Sequence, residues 1–198
     1  MDKTNNKLTF KDVILEVIRV ALISLAIIVP IRYYLIQPFY VKGASMEPNF
    51  YDHEYLLIDE LSYRLREPQR GEVVVFRYPL DKRNFFIKRI IGLPGETVEI
   101  VDGQVIIYSD KYPEGIKLDE SSYLPSEFKG KQINHSKVVL GRDEYYVLGD
   151  NRTLSLDSRE FGPVKRDLII GRVIFRGFPF YRIDLFLDPP NFNYYEQK

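Results

Sequence analysis

A serine, a lysine and one dense polar segment are the residues whose types and neighbours could do chemistry in this chain. Ser45 lies in Val41-Lys42-Gly43-Ala44-Ser45-Met46-Glu47-Pro48, shortly after an apolar stretch. Its hydroxyl becomes a nucleophile only beside a base that takes its proton; without one it is a turn residue. Gly43-Ala44-Ser45 is also a small-x-small triplet, the pattern cut in a signal peptide. Such a cut falls a few residues past an apolar core. Here bulky and aromatic residues intervene, so the apolar stretch is expected to stay attached. The two histidines are poor bases for Ser45: His53 stands among Tyr51, Asp52 and Glu54, and His135 lies in a polar region. Lys88 is the stronger partner. In the strand pattern Phe85-Phe86-Ile87-Lys88-Arg89-Ile90-Ile91, alternate residues share a face. Lys88 thus lies between Phe86 and Ile90. Burial there disfavours the ammonium and lowers its pKa, giving a neutral amine that can accept a serine proton; alternatively its head snorkels to water. The third element, Gly149-Asp150-Asn151-Arg152-Thr153-Leu154-Ser155-Leu156-Asp157-Ser158-Arg159-Glu160-Phe161-Gly162, is either a loop pinned by Asp–Arg pairs or one that presents a hydroxyl and ion pairs to a site.

The elements that must position these groups read as short strands. Fifteen Tyr and 13 Phe against 2 Met favour a β-rich interior. Strand composition recurs at Phe39–Lys42, Tyr55–Ile58, Gly71–Tyr78, Phe85–Ile91, Thr97–Val101, Gln104–Tyr108, Lys137–Leu140, Glu144–Leu148 and Leu168–Arg176, with Asp102-Gly103 as a hairpin cue. Leu61–Arg66 predicts a short helix. Residues 109–137 are polar and hold Pro113, Gly115, Pro125 and Gly130, which predicts an irregular excursion. The sum is a mainly β chain: a β-barrel-like domain over residues 37–198, with a small inserted sub-domain at about 102–140.

Ahead of it, residues 13–36 predict a transmembrane helix, with a soluble amphipathic helix as the alternative. That segment would be about 36 Å long, against a hydrocarbon core of about 30 Å. Glu16 and Arg19 share a helix face, and Tyr33, Tyr34, Phe39 and Tyr40 follow as an interfacial belt would. Lys3, Lys7, Lys11 and Arg19 precede the uncharged centre, against Arg32 and Lys42 after it. That bias predicts a single pass with residues 1–12 cytoplasmic and the β domain outside, at the cell membrane, so that the lipid bilayer is one partner. The absence of cysteine excludes disulfides, a thiol nucleophile and thiolate metal sites. With 28 basic and 28 acidic residues, nothing in the charge suggests nucleic acid.

Together the three segments resemble the bacterial type I signal peptidases. Ser45-Met46-Glu47-Pro48 is similar to the family's membrane-adjacent S-M-x-P. Lys88-Arg89-Ile90-Ile91-Gly92-Leu93-Pro94-Gly95 resembles its Lys-Arg strand and turn. Gly149 to Gly162 fits G-D-N-R-x-x-S-x-D-S-R-x-F/W-G at every fixed position. The resemblance implies a serine endopeptidase that removes signal peptides from exported preproteins, with no metal or cofactor. It implies Ser45 as nucleophile and Lys88 as general base, with Ser155 orienting the lysine. Asp157–Arg159 and Arg89–Asp150 would be supporting ion pairs, and Met46 and Pro48 would shape the nucleophile loop. Many relatives carry Ser or Thr where this chain has Gly43, so the hydroxyl that would help hold the oxyanion is missing, as in many Gram-positive-type members. Two other readings compete: a LexA-like Ser-Lys self-cleaving protease, which lacks such an apolar segment, and a membrane-anchored binding domain without catalysis. Oligomeric state is not legible in the residues.

Overall fold

The computed structural model describes residues 10–34, 36–128, 136–190, 192 and 194–196. Lys3, Lys7 and His135 lie outside the described residues, as do the side chains of Tyr33 and Tyr34.

Helix α1 spans Phe10–Tyr34. Its apolar side chains, among them Val17, Leu22 and Leu25, are exposed. Among the described residues no helix is long and apolar enough to cross a membrane. Strand β1 (Ile36–Tyr40) follows at once. After a long loop come β2 (Tyr55–Asp59), the short helix α2 (Ser62–Leu65), β3 (Val73–Arg77), β4 (Phe85–Gly92), β5 (Thr97–Val101), β6 (Gln104–Ser109), β7 (Tyr112–Leu118), β8 (Ser136–Val139), β9 (Glu144–Leu148), α3 (Ser158–Phe161), β10 (Val164–Lys165), β11 (Ile169–Phe178), β12 (Asp184–Leu185) and β13 (Tyr194–Glu196).

The strands form two antiparallel sheets. The first has the order β1-β2-β11-β3-β4-β9-β10, with β12 also pairing with β11. Its hydrogen-bonded path is open at β1 and β10 among the described residues. The second sheet has the order β13-β7-β6-β5-β8. It starts at Thr97 and takes an edge strand from the C-terminal segment. Strand β7 is a departure from the irregular excursion expected of this region. Pro113 lies near the start of β7, where a missing donor is tolerated. Gly115 takes φ +83° where the β6–β7 register slips, the conformation that glycine supplies without a Cβ penalty.

Three apolar clusters sit under the sheets. Val74, Phe76, Ile90, Tyr145 and Val147 fill one. Met46, Phe50, Leu56, Val73 and Val75 fill another, beneath the loop after β1. The third joins Val98, Ile100, Val105 and Ile107 of the second sheet to Ile91, Tyr146 and Leu148 of the first. That shared cluster makes β4 and β9 a common wall. Lys88 and Arg89 project from β4, opposite Val74 and Val73 of β3.

Candidate active site

The loop after β1 carries Ser45 on a tight turn. Asn49 and Phe50 both donate backbone N–H groups to the carbonyl of Met46, at 3.1 and 2.9 Å. Met46 and Phe50 are buried against Val73 and Val75. The turn is therefore fastened to β3 by apolar contact, next door to β4. The register of β4 delivers Lys88 to the same place, and Nζ of Lys88 lies 2.7 Å from Oγ of Ser45. The lysine is 4% exposed. Burial strips water from its ammonium and holds the pKa down at about 8, against the pull of the Asp157 and Asp150 carboxylates, while Arg159 pushes the same way as burial. A group with that pKa is partly neutral near physiological pH, in contact with a hydroxyl it can deprotonate.

The polar segment after β9 closes the site. Arg89 pairs with Asp150 through two bonds, at 2.8 and 2.6 Å, both groups buried. Its Nη1 also donates to the carbonyl of Gly71 at 2.8 Å, and its guanidinium stacks on Tyr123, 4.1 Å from the ring centre. Asp157 caps α3. Its carboxylate accepts from Nε and Nη2 of Arg159 at 2.7 and 2.8 Å, and from the N–H of Gly149 at 2.9 Å. The Asn151 amide donates to the carbonyl of Ser45 at 3.0 Å. The structure thus brings together Ser45, Lys88, Arg89, Asp150, Asp157, Arg159 and Met46.

Ser155 differs from expectation. Its Oγ is buried and has no hydrogen-bond partner among the described residues. Lys88 Nζ is steadied instead by the carbonyl of Ile87, at 2.8 Å. Ser155 still packs into the site. A Cβ built on Gly149 would collide with the Ser155 hydroxyl and would lie 2.5 Å from the Ser45 carbonyl. His53, the weaker candidate base, is engaged by a carboxylate. It pairs with Asp52, Nδ1 to Oδ2 at 2.9 Å, and Asp52 Oδ1 accepts the N–H of Gly43 at 2.9 Å. Gly43 has φ +88°.

Sequence reasoning missed two supports. Arg152 sits inside the polar segment and makes a buried ion pair with Glu120, from the region expected to be irregular. Asn49 donates Nδ2 to Asp150 Oδ2 at 2.8 Å and to the carbonyl of Tyr123 at 2.7 Å. An arginine within a segment already rich in Asp–Arg pairs was a readable signal. The role of Asn49 was not, since its partners are far away in the chain.

A cleft of about 370 Å³ opens over Ser45 and Lys88, walled by residues Phe39 to Ser45 and by Leu56, Val75, Ile87, Leu154 and Leu156. It is a largely apolar groove whose lining includes Ser45 and Lys88. Residues 14–178 match the family described as signal peptidase, peptidase S26.

The chain belongs to that family. A probable signal peptidase I-2 of Synechocystis is 38% identical over 180 residues, covering 88% of this chain and 78% of the relative. Signal peptidase IB of Staphylococcus aureus is 31% identical over 189 residues, covering 91% and 98%. A signal peptidase I structure from Enterococcus faecalis shares 30% identity and covers 54% of this chain and 97% of that one, with a TM-score of 0.43. As a member of the S26 family the chain is an enzyme of the signal peptidase type. The LexA-like and non-catalytic readings have no support from these relatives.

Proposed function

We propose that the chain is a membrane-anchored serine endopeptidase that removes signal peptides from exported preproteins, with Ser45 and Lys88 as its catalytic dyad. The observation that carries this is the 2.7 Å contact between a nucleophile and a buried lysine in the lining of a largely apolar cleft. The signal-peptidase names of the relatives supply the substrate class.

In this mechanism an extended substrate lies along the wall from Phe39 to Gly43, where main-chain pairing gives affinity and side-chain pockets give selectivity. Neutral Lys88 takes the Ser45 proton as Oγ attacks the scissile carbonyl. The ammonium then gives a proton to the leaving amine, and Lys88 activates the water that releases the acyl-enzyme. The Gly43 amide is engaged by Asp52, so the Ser45 amide is taken as the donor for the oxyanion. Once Ser45 is acylated, Lys88 loses its hydroxyl partner; Ser155, whose buried hydroxyl has no hydrogen-bond partner among the described residues, would then orient the lysine. Asp150–Arg89 and Asp157–Arg159 keep the polar segment folded over the lysine.

Helix α1 (Phe10–Tyr34) would be the anchor, ending short of the expected 13–36 because Ile36 already pairs with Asp59 in β1, with residues 1–12 cytoplasmic and the residues from β1 onward forming the extracytoplasmic catalytic domain. Its support is an apolar surface exposed on the described residues and the excess of basic residues before the centre of the helix.

The test is processing of one preprotein in membranes by the unaltered chain and by Ser45→Ala. Cleavage that Ser45→Ala abolishes supports the dyad. Cleavage of the chain itself and of nothing else would favour a self-cleaving protease, and no cleavage by the unaltered chain would favour a binding domain.

A further inference from the structure

A Ser–Lys contact of this kind needs two elements held in register to within a fraction of an ångström, because a misplacement of about 1 Å can cost 100-fold in rate. Ser45 lies on the loop after β1, and Lys88 lies on β4. Met46 and Phe50 fix the turn's height over β3 through apolar packing, which is non-directional. Directional ties must set its rotation and slide.

Asn49 sits at the end of the Ser45 turn and is held on two sides. Its carbonyl accepts from Nη1 of Arg176 at 2.6 Å and from Nη2 of Arg182 at 3.2 Å. Arg176 is buried and reaches Glu54 Oε2 at 3.3 Å. The Asn49 side-chain amide turns the other way and donates both N–H groups, to Asp150 Oδ2 and to the Tyr123 carbonyl. The carboxylate of Asp150 is locked to Arg89, the residue beside Lys88 on β4. A short polar relay thus runs from the nucleophile turn to the strand of the base: Asn49, Asp150, Arg89, then Lys88. Asn49 is absent from the cleft wall, so it does not touch substrate there.

We propose that Asn49 is a positioning residue that keeps the Ser45 turn in register with β4 by joining it to the Arg89–Asp150 pair. The proposal rests on the reading of Ser45 and Lys88 as the dyad. It makes a sign-definite statement about the lysine. Asp150, Asp157 and Arg159 are the charged groups that act on Lys88. Removing the Asn49 amide takes a donor from Asp150 and leaves its charge less neutralised. Loosening the turn admits water to Nζ. Both changes favour the ammonium and raise the lysine pKa.

Full-length enzyme in detergent is assayed on a peptide with a small-x-small cut site. Asn49→Ala is expected to lower kcat by about 10–100-fold, with KM within about twofold because the cleft wall is intact. The midpoint of the rising limb of the rate profile, about pH 8 in the unaltered chain, is expected to move up by about half a pH unit or more. Asn49→Ser, which keeps one donor, should fall between. The titration of Lys88, followed by the 13Cε shift of that lysine, does not depend on turnover. An upward move in Asn49→Ala supports the relay even if the unaltered chain proves not to cleave, an outcome that would sink the peptidase reading alone. An unchanged Lys88 titration with unaltered kcat overturns the proposal. So does a fall in kcat that merely follows the folded fraction at an unmoved pH midpoint. If Asn49→Ala does not fold, the same two readings on Asn49→Ser decide.

Discussion

As the proposed base, Lys88 sets the chemistry and the stability of this chain against each other. Its folded pKa of about 8 lies below the ordinary lysine value of 10.5. The folded state therefore binds the proton more weakly than the unfolded state. Folding is opposed in full below pH 8, and the opposition fades as pH rises from 8 towards 10.5. The corresponding free energy is on the order of 3 kcal/mol, an upper figure because Lys88 also has polar partners. Lys88→Met should abolish cleavage and yet raise the melting temperature at pH 7 by a few degrees. Thermal unfolding at pH 7 and again near pH 10 checks this, with the gap narrowing at the higher pH; an equal or lower melting temperature at pH 7 counts against a destabilising buried ammonium. In the unaltered enzyme the rate should climb with pH through about 8, and a rate already flat below pH 6 would exclude a neutral-lysine base. Gly43 gives a second residue-scale prediction. A Cβ there would meet nothing within 4 Å, so there is room for a hydroxyl, but φ is +88°. L-residues in that conformation are strained by about 1–2 kcal/mol. Gly43→Ser should therefore leave kcat unchanged or lower it. A rise in kcat would show that the missing hydroxyl, and not the backbone, limits the oxyanion site.

Among the elements, the site depends on how closely two loops approach. The turn carrying Ser45 and the segment after β9 meet backbone to backbone at Gly149, where a Cβ would fall 2.5 Å from the Ser45 carbonyl. Backbone cannot step aside as a flexible side-chain tip can. Gly149→Ala should displace Ser45 from Lys88 and lower kcat by about 100-fold or more, with the protein still folded by circular dichroism. Near-normal kcat would mean that the loops separate without disturbing the dyad. The local devices at this scale were legible. The period of two in β4 set Phe86 and Ile90 in one cluster and Ile91 in another, with the lysine between apolar neighbours. The Asp157–Arg159 pair is two residues apart and caps a helix, so its spacing suffices. Asn49–Asp150 is 101 residues apart, and no periodicity carries information over that span. Strand β7 was hidden for a different reason: Pro113 and Gly115 are breakers by composition, and only pairing with β6 and β13 overrides them.

On the scale of the whole molecule, the two sheets are not independent. Tyr146 and Leu148 of the first sheet share a cluster with Val98 and Ile100 of the second, and Arg152–Glu120 crosses the same boundary. The C-terminal segment spans both sheets, with Phe186 against Phe50 beside the nucleophile loop, Phe192 against Tyr123, and β13 paired with β7. Among the described residues nothing of comparable extent ties α1 to the β domain; the apolar side chains described on α1 are exposed. The Ser45–Lys88 geometry is thus built from residues after α1, and on the proposed reading the helix acts through where it puts them. If it is an anchor, its contribution is local concentration: two proteins held in one membrane plane meet far more often than in solution, by a factor that can reach about 10²–10⁴. Removing residues 1–34 should then leave kcat/KM on a short soluble peptide within a few-fold of the full chain. The same truncation should slow processing of a preprotein embedded in vesicles by about 10²-fold or more. Parallel assays on the two substrates separate the possibilities. Equal losses on both would mean that α1 supports the fold of the β domain, and no loss on either would mean that the domain finds its membrane-bound substrate without α1.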